Sequence, residues 1–398
     1  MPRSNSSTTL SAQNLTTTVW IVGIMAFNAA LWVIASRNVS PHPDFIDHWV
    51  QSRIFSFGYY EHPPMVAWLL RALTSVFGSS ETALELIAIG VNTAINALTV
   101  GLAAWQFGSR AALFTLIFLE STLYFTGGSL ILQIDQPLML AWLGALWALL
   151  AWMRTGRGHW LLWVGVFAGL GALSKYTMVL FYLSWGITIT LIPSLRREWR
   201  NPWQYASGLV ALLVCSPVIL WNANRDWISF RFQLSKSTAS QSFPGKHLLE
   251  FTGGYLLLFS GVLAIGGGIL IWQHFRRRGM GRDAETVLAC MAVLPIAIFS
   301  LLLVRGSFPD PKWANVGFLS FFILLAGVAA QDWNTDQRRR IWHRLILAAL
   351  LLNVMAISLA ALFIRMPIST SGGFANPALA TVGWDKAARS VTDLLMQH

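Results

Sequence analysis

The sequence predicts an all-α polytopic membrane protein. Of its 398 residues, 55% are hydrophobic and only 11% are charged, whereas about a quarter of the residues in a soluble domain are charged. The apolar residues form runs that approach the length of about 20 residues that a helix needs to cross a bilayer. Short joints between these runs carry many of the arginines, which is typical of cytoplasmic loops in membrane proteins.

Eleven apolar segments are interpreted as transmembrane helices. They cover 18–36, 84–105, 111–125, 138–153, 160–173, 177–192, 205–221, 251–272, 287–304, 316–330 and 345–363. A shorter apolar stretch, 65–77, carries Arg71 and follows the Pro63-Pro64 pair. This stretch predicts an interfacial helix within a first outer loop that extends over 37–83.

The arginine-rich joints predict the orientation of the chain. If 65–77 does not cross the membrane, all the arginine-rich joints fall on the same side as Arg3. The arginines of these joints are Arg110, Arg154, Arg157, Arg196, Arg197, Arg200, Arg276, Arg277, Arg278, Arg282, Arg338, Arg339, Arg340 and Arg344. The positive-inside rule then makes the N-terminus cytoplasmic. We therefore expect a membrane module over 1–363 and a short outer tail over 364–398 with one amphipathic helix, in a bacterial inner membrane.

Composition and motifs exclude several functional classes. The net charge of +11 does not indicate nucleic-acid binding, because the basic residues lie in short joints and not along one soluble face. Cys215 and Cys290 lie inside apolar runs and suggest no metal site. The chain has no phosphate-binding P-loop and no zinc-protease motif. Because the polar segments fall on the outer face, where ATP and nucleotide sugars are absent, an enzyme here needs a substrate already activated on a lipid.

Carboxylates and aromatic residues are concentrated in the first outer loop. Asp44 lies just after the first span, and Tyr59, Tyr60 and His62 follow beside a proline pair. One interpretation is an amphipathic helix on the bilayer with its tyrosines at headgroup depth. The other is a catalytic cleft in which Asp44 is a general base and the aromatic rings line the substrate.

Two ionisable residues lie at or within apolar segments. Asp135 lies at the outer mouth of the fourth span, two residues before Pro137, so it is either a helix cap or a second catalytic carboxylate. Lys175 interrupts the apolar run 160–192, and a charge there is a functional candidate because it is costly in a membrane. Lys175 and Tyr176 could bind a lipid phosphate, or Lys175 could mark a tight outer turn and extend its ammonium to the headgroups.

The outer segments nearer the C-terminus combine cations with aromatic rings. Such a combination suits a phosphate headgroup beside a sugar ring, although a basic interfacial loop on anionic lipid has the same composition. The candidate cations are Arg225, Arg231, Lys236 and Lys312.

Five short motifs resemble the GT-C superfamily of membrane glycosyltransferases. They are Asp44 with GYYEHPPMVAWL (58–69), IDQPLML (134–140), GLGALSKYT (169–177), SPVILWNANRDWISFRFQ (216–233) and PKWANVGFLS (311–320). The group concerned is related to protein O-mannosyltransferases and to the aminoarabinose transferase of lipid A. The motifs occur in order along most of the chain, and GWDKAARSV (383–391) is similar to the closing segment of the family.

The resemblance implies a GT-C fold and transfer of a sugar from a polyprenyl-phosphate donor with inversion. It implies that Asp44 is the base, that Asp135 is a second acidic position, and that Lys175 lies near the donor phosphate. Family members usually have Asp-Glu at the first motif, whereas this chain has Asp44-Phe45. The metal ligands therefore stay unassigned, no cofactor is identified with certainty, and a divalent cation is compatible with the acidic residues.

The sequence leaves the acceptor and two alternative functions open. The acceptor implied is lipid A or lipopolysaccharide, another glycan, or a protein on the outer face. A lipid-linked sugar transporter or flippase would also contain intramembrane charges, but it would be expected to show inverted repeats and charges near the middle of the bilayer. A non-catalytic scaffold is the second alternative, because the Glu after Asp44 is missing.

Overall fold

A computed structural model describes residues 5–37, 42–238, 252–281, 283–304 and 310–365, and the regular elements in these ranges are all helical. The α-helices are α1 (Asn5–Ser36), α2 (Pro43–Ser52), α3 (Met65–Phe77), α4 (Glu81–Phe107), α5 (Ser109–Glu120), α6 (Leu123–Gly127), α7 (Asp135–Thr155), α8 (His159–Ser174), α9 (Val179–Leu191), α10 (Pro202–Ala223), α11 (Ile228–Thr238), α12 (Thr252–Leu258), α13 (Gly268–Arg278), α14 (Ala284–Val304), α15 (Asn315–Asp332) and α16 (Asp336–Arg365). The predicted all-α polytopic class is confirmed. The predicted tail helix lies outside the described residues.

The described helices provide between seven and ten membrane spans. Seven are individually long and apolar enough to cross a bilayer, and three bent pairs would each provide one more. The helix α8 has 16 residues and is shorter than these spans. The exact number of eleven spans therefore stays a prediction. The short apolar helix predicted over 65–77 is present as α3, which begins directly after the two prolines.

The segment predicted as one span over 111–125 is instead broken. Helix α5 ends at Glu120, and α6 continues at an angle of 81° to it. Polar side chains satisfy the backbone at this break, since Asn353 Nδ2 donates to the Glu120 carbonyl at 2.7 Å. The Glu120 carboxylate accepts a hydrogen bond from Asn28 of α1. An apolar periodicity cannot reveal such a break, because the residues on both sides of it are equally hydrophobic.

Helices α7 and α15 form the centre of the protein. In their most apolar stretches, 78% and 83% of the residues are buried, compared with none in α1. Around them, α8 packs between α7 and α10. Gly165 and Gly169 allow the close approach of α8 and α10, because a Cβ atom on either glycine would lie within 3 Å of the α10 backbone.

The two ends of the central helices differ in chemistry. Helix α7 begins at Asp135 and ends near Arg154, about 30 Å further along if each residue rises 1.5 Å. At the arginine end, Arg154 stacks on Trp105, and Arg110 Nη1 donates to Asn334 Oδ1 at 3.0 Å. These contacts bring three of the arginine-rich joints together. The candidate site lies at the opposite end, around Asp135.

Candidate active site

Asp44 lies in the first turn of α2, where the local sequence fixes its position. Pro43 occupies the start of the helix, and the N-cap His42 accepts a hydrogen bond from the Asp44 backbone N–H at 3.2 Å. Burial lowers the pKa of His42, against the opposing effect of Asp44, so the ring is neutral at pH 7 and its Nδ1 can accept. Phe45 is fully buried against α3 and α4. The Asp44 carboxylate consequently remains at the surface, with 56% of its side chain exposed.

A hydrogen-bonded chain connects Asp44 to Lys312 at the start of α15. The side-chain amide of Gln133 donates from Nε2 to Asp44 Oδ2 at 2.8 Å. The other end of that amide accepts from Lys312 Nζ at 3.0 Å. Lys312 also lies 3.3 Å from Asp310 Oδ2, and about a quarter of its side chain is exposed. The site therefore has a partly exposed carboxylate and a partly exposed ammonium with one amide between them.

Behind this chain, Asp135 and Lys175 form a buried ion pair. Lys175 Nζ lies 2.8 Å from Asp135 Oδ1, and the two side chains are 10% and 3% exposed. Asn315 Nδ2 donates to the same carboxylate oxygen at 2.9 Å and to the Tyr124 hydroxyl at 2.8 Å. The Lys175 ammonium also lies 5.2 Å from the centre of the Trp313 ring. Asp135 is thus compensated by Lys175 and Asn315, and Lys175 by Asp135 and the Trp313 ring.

The geometry relates Asp44 to Asp135 without a direct contact between their carboxylates. Asp135 follows Gln133 by two residues in the chain, and Gln133 holds Asp44. Both carboxylates act electrostatically on Lys312 and on the buried ring of His48. The prediction that a second acidic group lies near Asp44 is consistent with this arrangement, but Asp135 is buried and paired whereas Asp44 is accessible.

The tyrosines of the first outer loop occupy two different environments. The Tyr59 hydroxyl lies 2.9 and 2.7 Å from the backbone oxygens of Gln51 and Ile54, which share its one proton, so it holds the loop in shape. Burial raises the pKa of Tyr59 and keeps its hydroxyl protonated. Tyr60 is half exposed and lies 4.8 Å from the ring of Phe232 on α11. Tyr60 is therefore the better placed of the two for a substrate contact.

His62 lies beside a second histidine at the edge of the site. Its ring is edge-to-face with that of His48, with a centroid distance of 5.6 Å. Burial lowers the pKa of His48, so this inner ring is neutral at pH 7. The His62 side chain is 21% exposed and lies 3.8 Å from the Glu61 carboxylate. His62 can therefore be reached from outside the protein while His48 supports it from within.

Tyr176 connects the Lys175 turn to the junction between α10 and α11. Its hydroxyl lies 2.9 Å from Ser229 Oγ, and its ring stacks on Phe230 at 4.4 Å. Asn222 at the end of α10 holds the same junction, because its Oδ1 accepts from the Ser229 backbone N–H at 3.1 Å. These contacts hold the Tyr176 side chain in a fixed position next to Lys175.

The remaining predicted cations are Arg225, Arg231 and Lys236. Arg225 stacks over Trp221, with 4.5 Å from its Cζ to the ring centre. Arg231 is exposed on α11, next to Phe232. The side chain of Lys236 lies outside the described residues. None of the contacts of Arg225 or Arg231 in the described part of the chain connects them to Asp44, so their roles stay predictions.

The close approach of Gly58 to Trp221 gives a test of how the first loop is held on α10. A Cβ atom at Gly58 would lie 2.6 Å from the indole ring. We expect Gly58→Ala to destabilise the protein by about 1–3 kcal/mol, because the ring must move. The control is Gly208→Ala in α10, where nothing lies within 4 Å of the added methyl and stability should be equal or higher. Thermal unfolding in detergent measures both, and equal midpoints for the two variants would contradict the packing.

Comparisons with known proteins find similarity to several glycosyltransferases. A family model described as dolichyl-phosphate-mannose-protein mannosyltransferase matches residues 61–221. The lipid A galacturonosyltransferase RgtD of Rhizobium johnstonii is 24% identical over 322 residues, which cover 78% of this chain and 66% of that protein. The undecaprenyl phosphate-alpha-4-amino-4-deoxy-L-arabinose arabinosyl transferase 1 of Sodalis glossinidius is 29% identical over 276 residues, covering 64% of this chain and 47% of that protein. The chain thus spans about two thirds of the first relative and about half of the second.

A solved structure decides the fold. ArnT from Cupriavidus metallidurans bound to undecaprenyl phosphate matches 90% of this chain and 67% of its own, with a TM-score of 0.67 and 18% identity. The chain has the GT-C fold. Together with the family model and the two relatives, this match confirms the resemblance to GT-C transferases that the motifs indicated. At this identity the structural match establishes the GT-C fold alone, and the roles of individual side chains stay predictions.

On this GT-C fold, sequence reasoning missed two amides, Gln133 and Asn315. Each lies within three residues of a charge that was recognised, Asp135 or Lys312. A polar amide next to a charge at the end of an apolar run indicates a hydrogen-bonded site, because burying the amide there without a partner costs free energy. Among the described residues, no group of three or more His, Cys, Asp or Glu side chains is arranged to hold a metal ion. The metal ligands stay unassigned.

Proposed function

We propose that this protein transfers a sugar from a polyprenyl-phosphate donor to an acceptor on the outer face of a bacterial inner membrane. The observation that carries the proposal is the Asp44–Gln133–Lys312 chain, which places an accessible carboxylate near an accessible ammonium. A sugar phosphate reacting with a hydroxyl or amine needs these two groups, a base for the acceptor and a cation for the leaving phosphate. The GT-C relatives described above support the same chemistry.

The transfer step follows from these positions. Asp44 takes the proton of the acceptor hydroxyl or amine as that atom attacks the anomeric carbon. The bond between the anomeric carbon and the phosphate oxygen breaks, and the lipid phosphate leaves with the bonding electrons. Attack from the side opposite the phosphate inverts the configuration of the sugar carbon. Because a phosphate leaves as a stable anion, the step needs no general acid.

Lys312 is a stronger candidate than Lys175 for stabilising the leaving phosphate. Lys312 has 26% of its side chain exposed, whereas Lys175 has 10% and is already paired with Asp135. Moving Lys175 onto a phosphate would leave a buried carboxylate without its partner, which is costly. His62, which packs on His48, and the half-exposed Tyr60 are further candidates for binding the sugar or the phosphate. In this assignment the Lys175–Asp135 pair has a structural role and supports the positions of Asp44 and Lys312.

The acceptor is proposed from the relatives, since the site itself does not select one. The first relative named above is a lipid A galacturonosyltransferase, so a lipid A-type acceptor ranks ahead of another glycan or a protein. Helix α2 and the aromatic segment after it expose Val50, Ile54 and Phe55, which would suit a lipid acceptor approaching along the membrane surface.

A lipid-linked sugar transporter is the second candidate function. The depth of the charged residues in the membrane distinguishes it from a transferase. In a transporter the coupled charges lie near the middle of the membrane. Here the chain from Asp44 to Lys312 lies at the helix ends, with Asp44 in a helix of the first loop. This position favours chemistry at the membrane surface.

The experiment that tests the function compares membranes of the parent strain and of a strain lacking this protein. Mass spectrometry measures lipid-linked sugars and outer glycoconjugates in both. We expect one polyprenyl-phosphate sugar to accumulate while one glycoconjugate loses the same sugar. Accumulation restricted to the cytoplasmic leaflet would instead indicate a transporter. Transfer by the purified chain distinguishes an enzyme from a non-catalytic scaffold.

A further inference from the structure

The side chain of Gln133 is fixed more rigidly than a surface amide. It is 6% exposed, and its own backbone N–H donates to Gln136 Oε1 at 2.8 Å. Gln136 Nε2 in turn donates to the Ile131 carbonyl at 2.9 Å, which Asn92 of α4 also binds at 3.2 Å. The turn that carries Gln133 is thus held by two further amides before α7 begins.

The partners of Gln133 allow only one orientation of its amide. An ammonium can only donate hydrogen bonds, and a carboxylate can only accept them. The amide oxygen must therefore face Lys312, and the amide NH2 must face Asp44, as observed. Any side chain that lacks one of these two functions loses one of the two hydrogen bonds that connect Asp44 to Lys312.

We propose that Gln133 is a positioning residue that keeps Lys312 and Asp44 apart. Both groups lie within 3.0 Å of this one amide, so without it the carboxylate and the ammonium would be free to approach and form a direct ion pair, in addition to the contact of Lys312 with Asp310. Such a pair would engage the carboxylate that is proposed as the base and would occupy the ammonium that is proposed to bind the phosphate. The amide holds both groups in place while leaving the carboxylate able to accept a proton and the ammonium able to bind a phosphate. This inference rests on the proposed function.

A double-variant experiment with undecaprenyl phosphate as the probe tests this separation. The full-length chain is purified in detergent, and its affinity for the probe is measured by titration. We expect Gln133→Ala to bind about tenfold more weakly, because Asp44 captures Lys312. Adding Asp44→Asn to this variant should restore most of the affinity, since the competing carboxylate is then gone. A loss of packing alone would give no such recovery.

An isosteric variant keeps the test valid if Gln133→Ala folds poorly. Gln133→Glu has the same shape but presents a carboxylate to Lys312, so it should also weaken binding of the probe about tenfold. Adding Asp44→Asn should not restore this variant, because the new carboxylate still holds the ammonium. Thermal unfolding of each variant in the same detergent reports on the fold.

The outcomes separate the inference from the proposed function. If the unmodified protein binds the probe but Asp44→Asn fails to restore Gln133→Ala, the separating role is overturned and the proposed function stands. If both Gln133 variants bind as tightly as the unmodified protein, the separating role is likewise overturned. If the unmodified protein does not bind undecaprenyl phosphate at all, the proposed function fails first and the inference fails with it.

Discussion

Replacing Asp44 by Asn is expected to lower kcat/KM for sugar transfer by at least about a hundredfold while the protein remains folded. A positioned general base typically contributes a factor of about 10² to 10⁴, and an amide cannot accept the proton of the acceptor. The substitution keeps the size of the side chain, and Asn can still accept a hydrogen bond from Gln133 through its own amide oxygen. The measurement is the initial rate of transfer by the purified variant.

Asp47 provides the matched control for this prediction. It lies on the same helix three residues later, and its carboxylate accepts a hydrogen bond from Gln51 at 2.6 Å. The contacts of Asp47 do not reach Gln133 or Lys312 in the described part of the chain. Asp47→Asn should therefore retain most of the activity. Full transfer by Asp44→Asn, or an equal loss in the two variants, would contradict the assignment of Asp44 as the base.

The sequence predicted the parts of the fold that depend on composition and on local charged or helix-breaking residues. The short helix α3 was recognised because Arg71 and the preceding proline pair are incompatible with a normal span. The break after Glu120 was not recognised, because part of its compensation comes from far away in the chain: Asn353 binds the Glu120 carbonyl beside the local Thr126 hydroxyl, and Asn28 binds the Glu120 carboxylate. Long-range compensation of this kind leaves no periodic pattern in the sequence.

The sequence indicated the charged residues of the candidate site but not which of them contact each other. Asp44, Asp135, Lys175 and Lys312 stand out because ionisable groups are rare in this chain. Which carboxylate pairs with which lysine depends on how α7, α8 and α15 pack, and that packing brings together residues up to 180 positions apart. The amides that make the connections are common residues, and only their burial in the structure distinguishes them.

Breaking the Asp135–Lys175 pair is the substitution with the largest expected effect on stability. Lys175→Met should destabilise the protein by about 3–5 kcal/mol, because it leaves a carboxylate that is 3% exposed without its cation. Asn315 would remain as a donor to that carboxylate but carries no charge. The measurement is the thermal unfolding midpoint of the protein in detergent.

Two further variants show whether this pair supports the site or binds the donor. Removing both charges in Asp135→Leu/Lys175→Met should recover much of the stability, since no buried charge is left uncompensated. Lys312→Met should have a small effect of about 1 kcal/mol or less, because its pair with Asp310 is partly exposed. A Lys175→Met variant as stable as the unmodified protein would contradict the structural role of the pair.

Binding of undecaprenyl phosphate then assigns the phosphate to one of the two lysines. If Lys312 binds the phosphate, Lys312→Met should lose most of the affinity while the double variant Asp135→Leu/Lys175→Met retains it. If Lys175 binds the phosphate, the double variant should lose the affinity even though its fold is recovered. The first result is expected, because moving the Lys175 ammonium would leave a buried carboxylate unpaired, whereas Lys312 is paired with Asp310, whose side chain is 42% exposed.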